Sequence, residues 1–234
     1  VILRATGFGQ TGPYRDRAGF ARLFEAMGGL TYITGEPDGA PMHTGYPMGD
    51  AIGGLFGTIG VLAALCRRVM EPDAPGEEID LSMTEAVFRL LDFLPIEHDQ
   101  LGEVRERSGN ANQYSAPSAV YSTRDGRYVS LSGSTNAIFT ANAHSIGRPD
   151  LPEDPRFMTN SSRMGCSAEL NEVFSRWMGE HTLDEILEAF EREGGAIAPI
   201  YSIDQIVTDP QMVAREAIVS VPDADFGLKK KKNV

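Results

Sequence analysis

Asp50 is the residue of this chain best placed for chemistry. It is the only acid in the glycine-rich stretch 45–54, which runs directly into an apolar segment, residues 55–65, that predicts a helix. An aspartate at a helix start can cap the first-turn N–H groups, or its carboxylate can act as a nucleophile that forms a covalent acyl intermediate. The neighbouring glycines let a ligand approach the backbone closely. The two interpretations are compatible, and both place Asp50 at the helix N-terminus.

The elements that must position Asp50 follow an α/β order. A buried strand is followed by a glycine-rich loop, and this loop matches neither a dinucleotide nor a P-loop fingerprint. The pattern predicts, in order, a strand at 1–5, the loop at 6–14, a helix at 19–27, a strand at 30–34, the Asp50 helix, a strand at 78–83, and a helix at 84–94 capped by Thr84. This order is typical of an α/β layer.

The second half of the chain has a different character. A polar stretch at 105–113 predicts a linker or mobile loop, and Asp125-Gly126 between two β-rich runs predicts a hairpin over 119–131. Helices are predicted at 137–146, 167–180 and 182–193, the last with a Thr182–Glu185 capping box, followed by a strand at 197–201 and a helical return at 202–214.

Other candidate groups are scattered. The four histidines, His43, His98, His144 and His181, have no helical i,i+4 spacing to one another, which favours surface or capping roles. No serine lies in a nucleophile elbow, and Cys66 and Cys166 have no metal-ligand spacing around them. We therefore expect no metal, and elimination also favours Asp50.

Composition excludes some partners. The net charge of −12 over 234 residues argues against nucleic-acid and anionic-membrane surfaces, and the basic run at 229–232 predicts a solvated tail. The apolar segment 51–66 is short and glycine-rich, so no membrane span is expected. Two distant cysteines favour a reducing compartment and a cytoplasmic location. Because the chain begins with Val-Ile-Leu-Arg, in what reads as a strand, we expect a fragment of a longer protein.

An ordered set of motifs over almost the whole chain resembles the family III CoA-transferases. The motifs are Gly7-Phe8-Gly9-Gln10-Thr11-Gly12-Pro13-Tyr14, Arg17-Ala18-Gly19-Phe20, Gly35-Glu36-Pro37-Asp38-Gly39, Gly49-Asp50, Ser82-Met83, Tyr121-Ser122-Thr123-Arg124-Asp125-Gly126, and Asp154-Pro155-Arg156-Phe157 through Arg163. This superfamily includes formyl-CoA transferase, carnitine CoA-transferase and α-methylacyl-CoA racemase. Its members carry a further Rossmann-like segment before the position of Val1 and more chain after that of Val234.

The resemblance implies a fold. We expect an α/β protein with part of a Rossmann-like large domain at 1–100, an inserted smaller α+β domain at 101–199, and a return towards the large domain at 200–234. The resemblance also implies an interlocked homodimer, and from the composition we expect no nucleic acid and no membrane as partner.

The resemblance also implies a reaction. Asp50 falls on the family's catalytic aspartate, whose carboxylate attacks an acyl-CoA donor and carries CoA as an aspartyl thioester to a carboxylic acid acceptor. CoA or acyl-CoA is thus a substrate, without a metal. By position, Thr6, Gly7, Phe8, Gly9 and Met83 would border CoA. The family's substrate loop would be Gly109, Asn110, Ala111, Asn112 and Gln113, although this chain has only one glycine there, and Ala21 replaces the family's usual Asp.

Two alternatives stay open. α-Methylacyl-CoA racemases share the fold and the aspartate but pair it with a histidine, where this chain has Phe20. Without that histidine one of the two proton-transfer groups is lost, which favours the transferase. The second alternative is a non-catalytic CoA-binding relative.

Overall fold

The computed structural model describes residues 1–223 and 228–233, with side chains described up to residue 219. The chain divides into two compact units, Val1–Asn110 and Ala111–Val234, and each mixes helices with strands. The predicted α/β fold class is therefore confirmed. The division at 100 and 199 concerns the whole protein and stays a prediction.

The first unit is a parallel strand pair covered by helices. Strand β1 pairs with β2 from Ile2 opposite Glu78 to Thr6 opposite Ser82. Its core centres on Phe24, Ile52, Ala86 and Val87. The elements are β1 (Ile2–Thr6), α1 (Ala21–Met27), α2 (Met48–Met70), β2 (Glu78–Ser82), α3 (Met83–Arg89) and α4 (Leu94–Leu101).

Glycines line the inner face of α2. A Cβ at Gly57 would lie 3.0 Å from Leu3 Cδ2 and 3.2 Å from Leu81 Cδ2, tighter than ordinary side-chain contacts allow. A Cβ at Gly53 would collide with the Met83 side chain. Because glycine has no side chain, the helix can lie almost directly on the two strands and on α3. This close contact fixes where the helix begins.

The opposite face of α2 is apolar and exposed, with Leu55, Ile59, Leu62 and Val69 all more than half accessible. At 23 residues the helix is long and apolar enough, by length and composition alone, to cross a membrane. The expectation that no segment is long enough was wrong, because the helix extends beyond residues 51–66 at both ends. A single such helix is weak evidence for a membrane, and in this unit its glycine face packs on protein.

The second unit is built on an antiparallel sheet with helices packed against it. Strand β4 lies between β3 and β5, and the predicted hairpin around Asp125-Gly126 is confirmed. The elements are β3 (Ser118–Ser122), β4 (Tyr128–Ser132), α5 (Asn136–Ser145), a 3₁₀ turn (Leu151–Glu153), α6 (Asn160–Gly165), α7 (Ser167–Glu180), α8 (Leu183–Glu193), β5 (Ile197–Pro199), α9 (Ile203–Ile206), α10 (Pro210–Ala214), and the antiparallel pair β6 (Val219–Asp223) and β7 (Leu228–Asn233). The lysine run forms β7, but its side chains lie outside the described residues.

Arg163 is a fully buried cation in this unit. Its guanidinium donates to the carbonyl oxygens of Ala116 (2.7 Å), Phe157 (3.0 Å) and Gly133 (3.3 Å), and to Asn136 Oδ1 at 2.9 Å. Burial lowers the pKa of Arg163 below its ordinary value. The side chain thus joins three separate loop segments by satisfying backbone carbonyls that have little access to water.

Two local predictions were wrong. Residues 30–34 form turns rather than a strand: the Thr31 N–H donates to the Glu25 carbonyl and the Thr34 hydroxyl to that of Leu30. The helix predicted from Thr84 begins at Met83, and the Ser82 hydroxyl caps it by accepting from the Glu85 N–H. In contrast, the Thr182–Glu185 capping box is confirmed.

We expect Gly57→Leu to lower the free energy of unfolding of the first unit by about 1–3 kcal/mol, because overpacking must displace Leu3 and Leu81. Gly54 lies on the same helix, and a Cβ there would meet no atom within 4 Å. The control Gly54→Leu should leave stability unchanged or raise it through helix propensity. Urea unfolding of the intact protein measures both, and equal losses in the two variants would contradict the packing described.

We expect Arg163→Leu to cost at least about 3 kcal/mol, since three buried carbonyls lose their donor. The control Arg176→Leu removes an exposed i,i+4 pair with Glu172 and should cost about 0.5 kcal/mol or less. Hydrogen exchange followed by mass spectrometry, read on peptides of α6 and β3, localises the loss. Unchanged protection there in Arg163→Leu would show that the arginine does not join these loop segments.

Candidate active site

Asp50 is the third residue of α2 and lies in its first turn, exposed to solvent. The N-cap is Pro47, without a side-chain cap, so the predicted N-cap position for Asp50 was wrong. Among the residues described, the Asp50 carboxylate has no hydrogen-bond or ion-pair partner. It is therefore an accessible anion at the positive end of a helix dipole.

The N–H groups of this first turn can be accounted for one by one. The Met48 N–H donates to the Tyr46 carbonyl at 2.8 Å, the Gly49 N–H to Glu25 Oε1 at 3.1 Å, and the Ala51 N–H to the Pro47 carbonyl at 3.3 Å. The Asp50 N–H has no acceptor in the described part of the chain. One donor is thus free beside the free carboxylate.

Glu25, on α1, is a second carboxyl near the start of α2 and is only 1% exposed. Its Oε1 holds the Gly49 N–H, and its Oε2 lies 3.2 Å from His43 Nδ1. The same Nδ1 lies 3.3 Å from the Thr31 hydroxyl. A buried carboxyl needs such partners, because desolvation without them is costly.

Sequence reasoning missed this cluster. His43 was expected at the surface or in a cap, but it is partly buried against Glu25. The available signal was Glu25 itself, the only acid in the short apolar helix Ala21–Met27.

The glycine-rich loop after β1 packs on the same helix. The Gly7 carbonyl accepts from both the N–H and the hydroxyl of Thr84, and a Cβ at Gly7 would lie 2.8 Å from the Phe24 ring. Phe8 meets Phe24 edge-on with 6.2 Å between ring centroids. A Cβ at Gly49 would lie 3.5 Å from Phe24 Cβ. Phe24 therefore lies between the loop and the start of α2.

A cavity of about 470 Å³ runs along this loop. It contains two predicted CoA-binding residues, Phe8 and Gly9, but Asp50 does not line it. Gly9 has a positive φ of 83°, which favours glycine, and the next N–H, of Gln10, donates to the Asp80 carboxylate at 3.0 Å. The cavity is lined by Phe8, Gly9, Thr11, Gly12, Pro13, Tyr14, Met27, Asp80, Ser82, Thr84 and Glu85.

The remaining predicted site residues lie in different parts of the chain. Met83 packs against Gly53, one turn into α2 from Asp50, and the Thr6 hydroxyl accepts from Gln10 Nε2 at 3.4 Å. The predicted substrate loop crosses the division of the chain: Gly109 and Asn110 end the first unit, while Ala111, Asn112 and Gln113 begin the second. The Gly109 N–H donates to the Gly35 carbonyl, and Asn112 Oδ1 accepts from the Tyr114 N–H. Roles of these residues towards a ligand stay predictions.

A second cavity, of about 490 Å³, lies between α1, α3 and α4 and is mainly apolar. None of the predicted site residues lines it. Tyr32 on its wall donates to the Glu106 carboxylate at 2.6 Å, and that hydrogen bond raises the pKa of Tyr32 above its ordinary value. Over residues 1–223 and 228–233, no three His, Cys, Asp or Glu side chains come together as a metal site would require.

The chain matches CoA-transferase family III over residues 1–233. It is similar to succinyl-CoA–D-citramalate CoA-transferase of Chloroflexus aurantiacus, with 37% identity over the whole chain and 58% of the relative. It is also similar to succinate–glutarate CoA-transferase of Agrobacterium fabrum, with 30% identity over 96% of the chain and 56% of the relative.

Among solved structures, a CAIB/BAIF family protein from Brucella suis resembles the chain with a TM-score of 0.77 and 30% identity, covering 93% of the chain and 57% of the other protein. The chain thus spans a little over half the length of the proteins it matches. Because the family match extends over nearly every residue, the chain belongs to CoA-transferase family III.

Proposed function

We propose that the protein containing this chain transfers CoA between carboxylic acids through a covalent aspartyl-CoA thioester on Asp50. The observation that supports this most is the state of Asp50: an exposed carboxylate with no described partner, in a helix first turn whose N–H of the same residue is also unbonded. A nucleophile must be accessible, and no contact in the described part of the chain engages this carboxylate.

The proposed reaction has four steps. The Asp50 carboxylate attacks the thioester carbonyl of the acyl-CoA donor and expels CoA thiolate, leaving a mixed anhydride. The thiolate then attacks the Asp50 carbonyl of the anhydride and releases the donor acid as a carboxylate. The acceptor carboxylate attacks the carbonyl of the resulting aspartyl thioester and expels CoA thiolate, leaving a second mixed anhydride. The thiolate finally attacks the acceptor carbonyl of this anhydride, with the Asp50 carboxylate as the leaving group. This sequence yields the new acyl-CoA and regenerates Asp50.

The positioning of Asp50 suits this sequence. Each attack passes through a tetrahedral oxyanion, and an N–H donor or a helix N-terminus can stabilise such a charge. The surface of α2 one turn after Asp50 is open, since a Cβ at Gly54 would meet no atom within 4 Å. We propose that CoA binds beside Thr6, Gly7, Phe8, Gly9 and Met83, and the assignment of Gly109–Gln113 as a substrate loop stays a prediction.

The names of the relatives suggest the acids to try first. The proteins from C. aurantiacus and A. fabrum are named for succinyl-CoA, citramalate, succinate and glutarate. We propose short dicarboxylic acids as donor and acceptor. An interlocked homodimer and a cytoplasmic location remain part of the proposal.

We expect the intact protein, incubated with succinyl-CoA and quenched with hydroxylamine or borohydride, to carry a modification on the peptide that contains Asp50. Asp50→Ala should abolish the modification and lower kcat by at least about 10⁴-fold, as for loss of other covalent nucleophiles. The control Asp38→Asn changes an exposed aspartate in a turn, and it should retain the modification and the kcat of the unmodified protein. Peptide mapping by mass spectrometry measures the adduct.

Other outcomes would identify the alternatives. If no adduct forms with any acyl-CoA but solvent hydrogen enters the α position of a 2-methylacyl-CoA, the protein is a racemase. That reaction would need a second proton-transfer group, and Phe20, at the racemase histidine position, cannot serve. If neither signal appears although CoA binds, the protein is a non-catalytic CoA-binding relative.

A further inference from the structure

The Glu25 carboxyl has no part in the proposed reaction, yet it is buried close to the nucleophile. Both of its oxygens are used: Oε1 accepts the Gly49 N–H at 3.1 Å, and Oε2 lies 3.2 Å from His43 Nδ1. In the tautomer that carries its proton on Nδ1, His43 donates to Glu25 Oε2 in this contact, because a carboxylate only accepts hydrogen bonds. His43 thus supplies the second partner that lets a carboxyl stay buried in this orientation.

Thr31 completes the cluster from the loop after α1. Its hydroxyl lies 3.3 Å from His43 Nδ1, and its N–H donates to the Glu25 carbonyl at 3.1 Å. The backbone and the side chain of Thr31 therefore both hold the loop after α1, one against Glu25 and the other against His43. Rotation of the Glu25 side chain away from Gly49 would break the contact with His43.

Gly49 links the Glu25 carboxyl to Asp50 through the backbone. Its N–H is held by Glu25, and on its Cα a side chain would lie 3.0 Å from the Ala21 carbonyl oxygen of α1. The peptide plane and the Cα of Gly49 are thus both fixed against α1. Since Asp50 is the next residue, the same contacts set the direction of the Asp50 Cα–Cβ bond, from which its carboxylate projects.

We propose that His43 is a positioning residue for Asp50, acting through the Glu25 carboxyl and the Gly49 N–H. The proposal rests on the proposed function of Asp50 as the nucleophile. His43 itself does not touch the reacting atoms. Displacing a reacting group by about 1 Å can lower a rate by about 10²-fold, so the orientation of the first turn matters for the chemical step.

The test uses the intact protein and compares His43→Leu, which removes the donor, with His43→Gln, which can still donate to Glu25. Single-turnover mixing with succinyl-CoA measures the rate of Asp50 adduct formation, and titration with CoA measures its binding. We expect His43→Leu to slow adduct formation by about 10²-fold while CoA affinity changes less than about twofold. His43→Gln should recover most of the rate.

His98→Leu is the matched control, because His98 lies in the same unit and its Nδ1 contacts only the Glu103 carbonyl among the described groups. It should leave the adduct rate unchanged. A double-mutant cycle of His43→Leu with Glu25→Gln gives a further readout. If His43 acts through Glu25, the double variant should be no slower than the slower single variant.

Each outcome supports or contradicts the positioning role of His43. A normal adduct rate in His43→Leu overturns the positioning role and leaves the proposed function intact, whereas absence of any adduct in the unmodified protein overturns both. An equal loss in His43→Leu and His43→Gln that follows their loss of thermal stability shows a purely structural role. If His43→Leu does not fold, the smaller His43→Ala, which also removes the donor, carries the test, and a normal adduct rate in His43→Ala would contradict the proposal.

Discussion

The close approach of α2 to the strands beneath it is the constraint on which the first unit depends. Gly57 lies over Leu3 and Leu81, and Gly53 leaves room for Met83. A larger residue at either position would lift the helix, and a rigid helix moves as a whole when one of its contacts is changed. Because Asp50 is on the same helix one turn before Gly53, its place beside α1 is set by contacts that carry no chemistry of their own.

The same region holds two carboxyls in opposite environments. Glu25 is buried and has a partner for each oxygen, whereas Asp50 is exposed and has no described partner. A buried, fully bonded carboxyl is held in one orientation and is a poor nucleophile, since its lone pairs are engaged. An exposed carboxylate is free to react but needs its direction fixed by the backbone. The environment, not the residue type, therefore assigns the two roles.

Local signals in the sequence predicted much of this structure. The Asp125-Gly126 turn, the Thr182–Glu185 capping box and the apolar spacing of α2 act over a few residues, and each is confirmed. The start of α2 was misplaced because the Gly49 N–H is satisfied by Glu25, 24 residues earlier. No local pattern reports a partner at that distance. This tertiary contact lets the helix begin at Met48 and leaves Asp50 inside its first turn.

The histidine cluster was missed for a related reason. The burial of Glu25 follows from the packing of α1 between the loop and α2, so the role of His43 depends on contacts that only the fold assembles. Asp50 itself was found from its glycine setting and from the family resemblance. The strand expected at 30–34 failed because Thr31 and Thr34 bond back to the end of α1 and the residues after it, and so form turns.

The environment of Asp50 also concerns what a helix N-terminus stabilises: the resting carboxylate or the charge that develops in the transition state. If the first-turn N–H groups bound the carboxylate, they would stabilise the ground state and oppose attack. In this turn Glu25, Tyr46 and Pro47 take up the other N–H groups, and the Asp50 carboxylate accepts none that is described. The Asp50 N–H and the helix dipole are then available to charge that develops during the reaction. Under the proposed mechanism, capping by Glu25 therefore keeps the nucleophile from being its own helix cap.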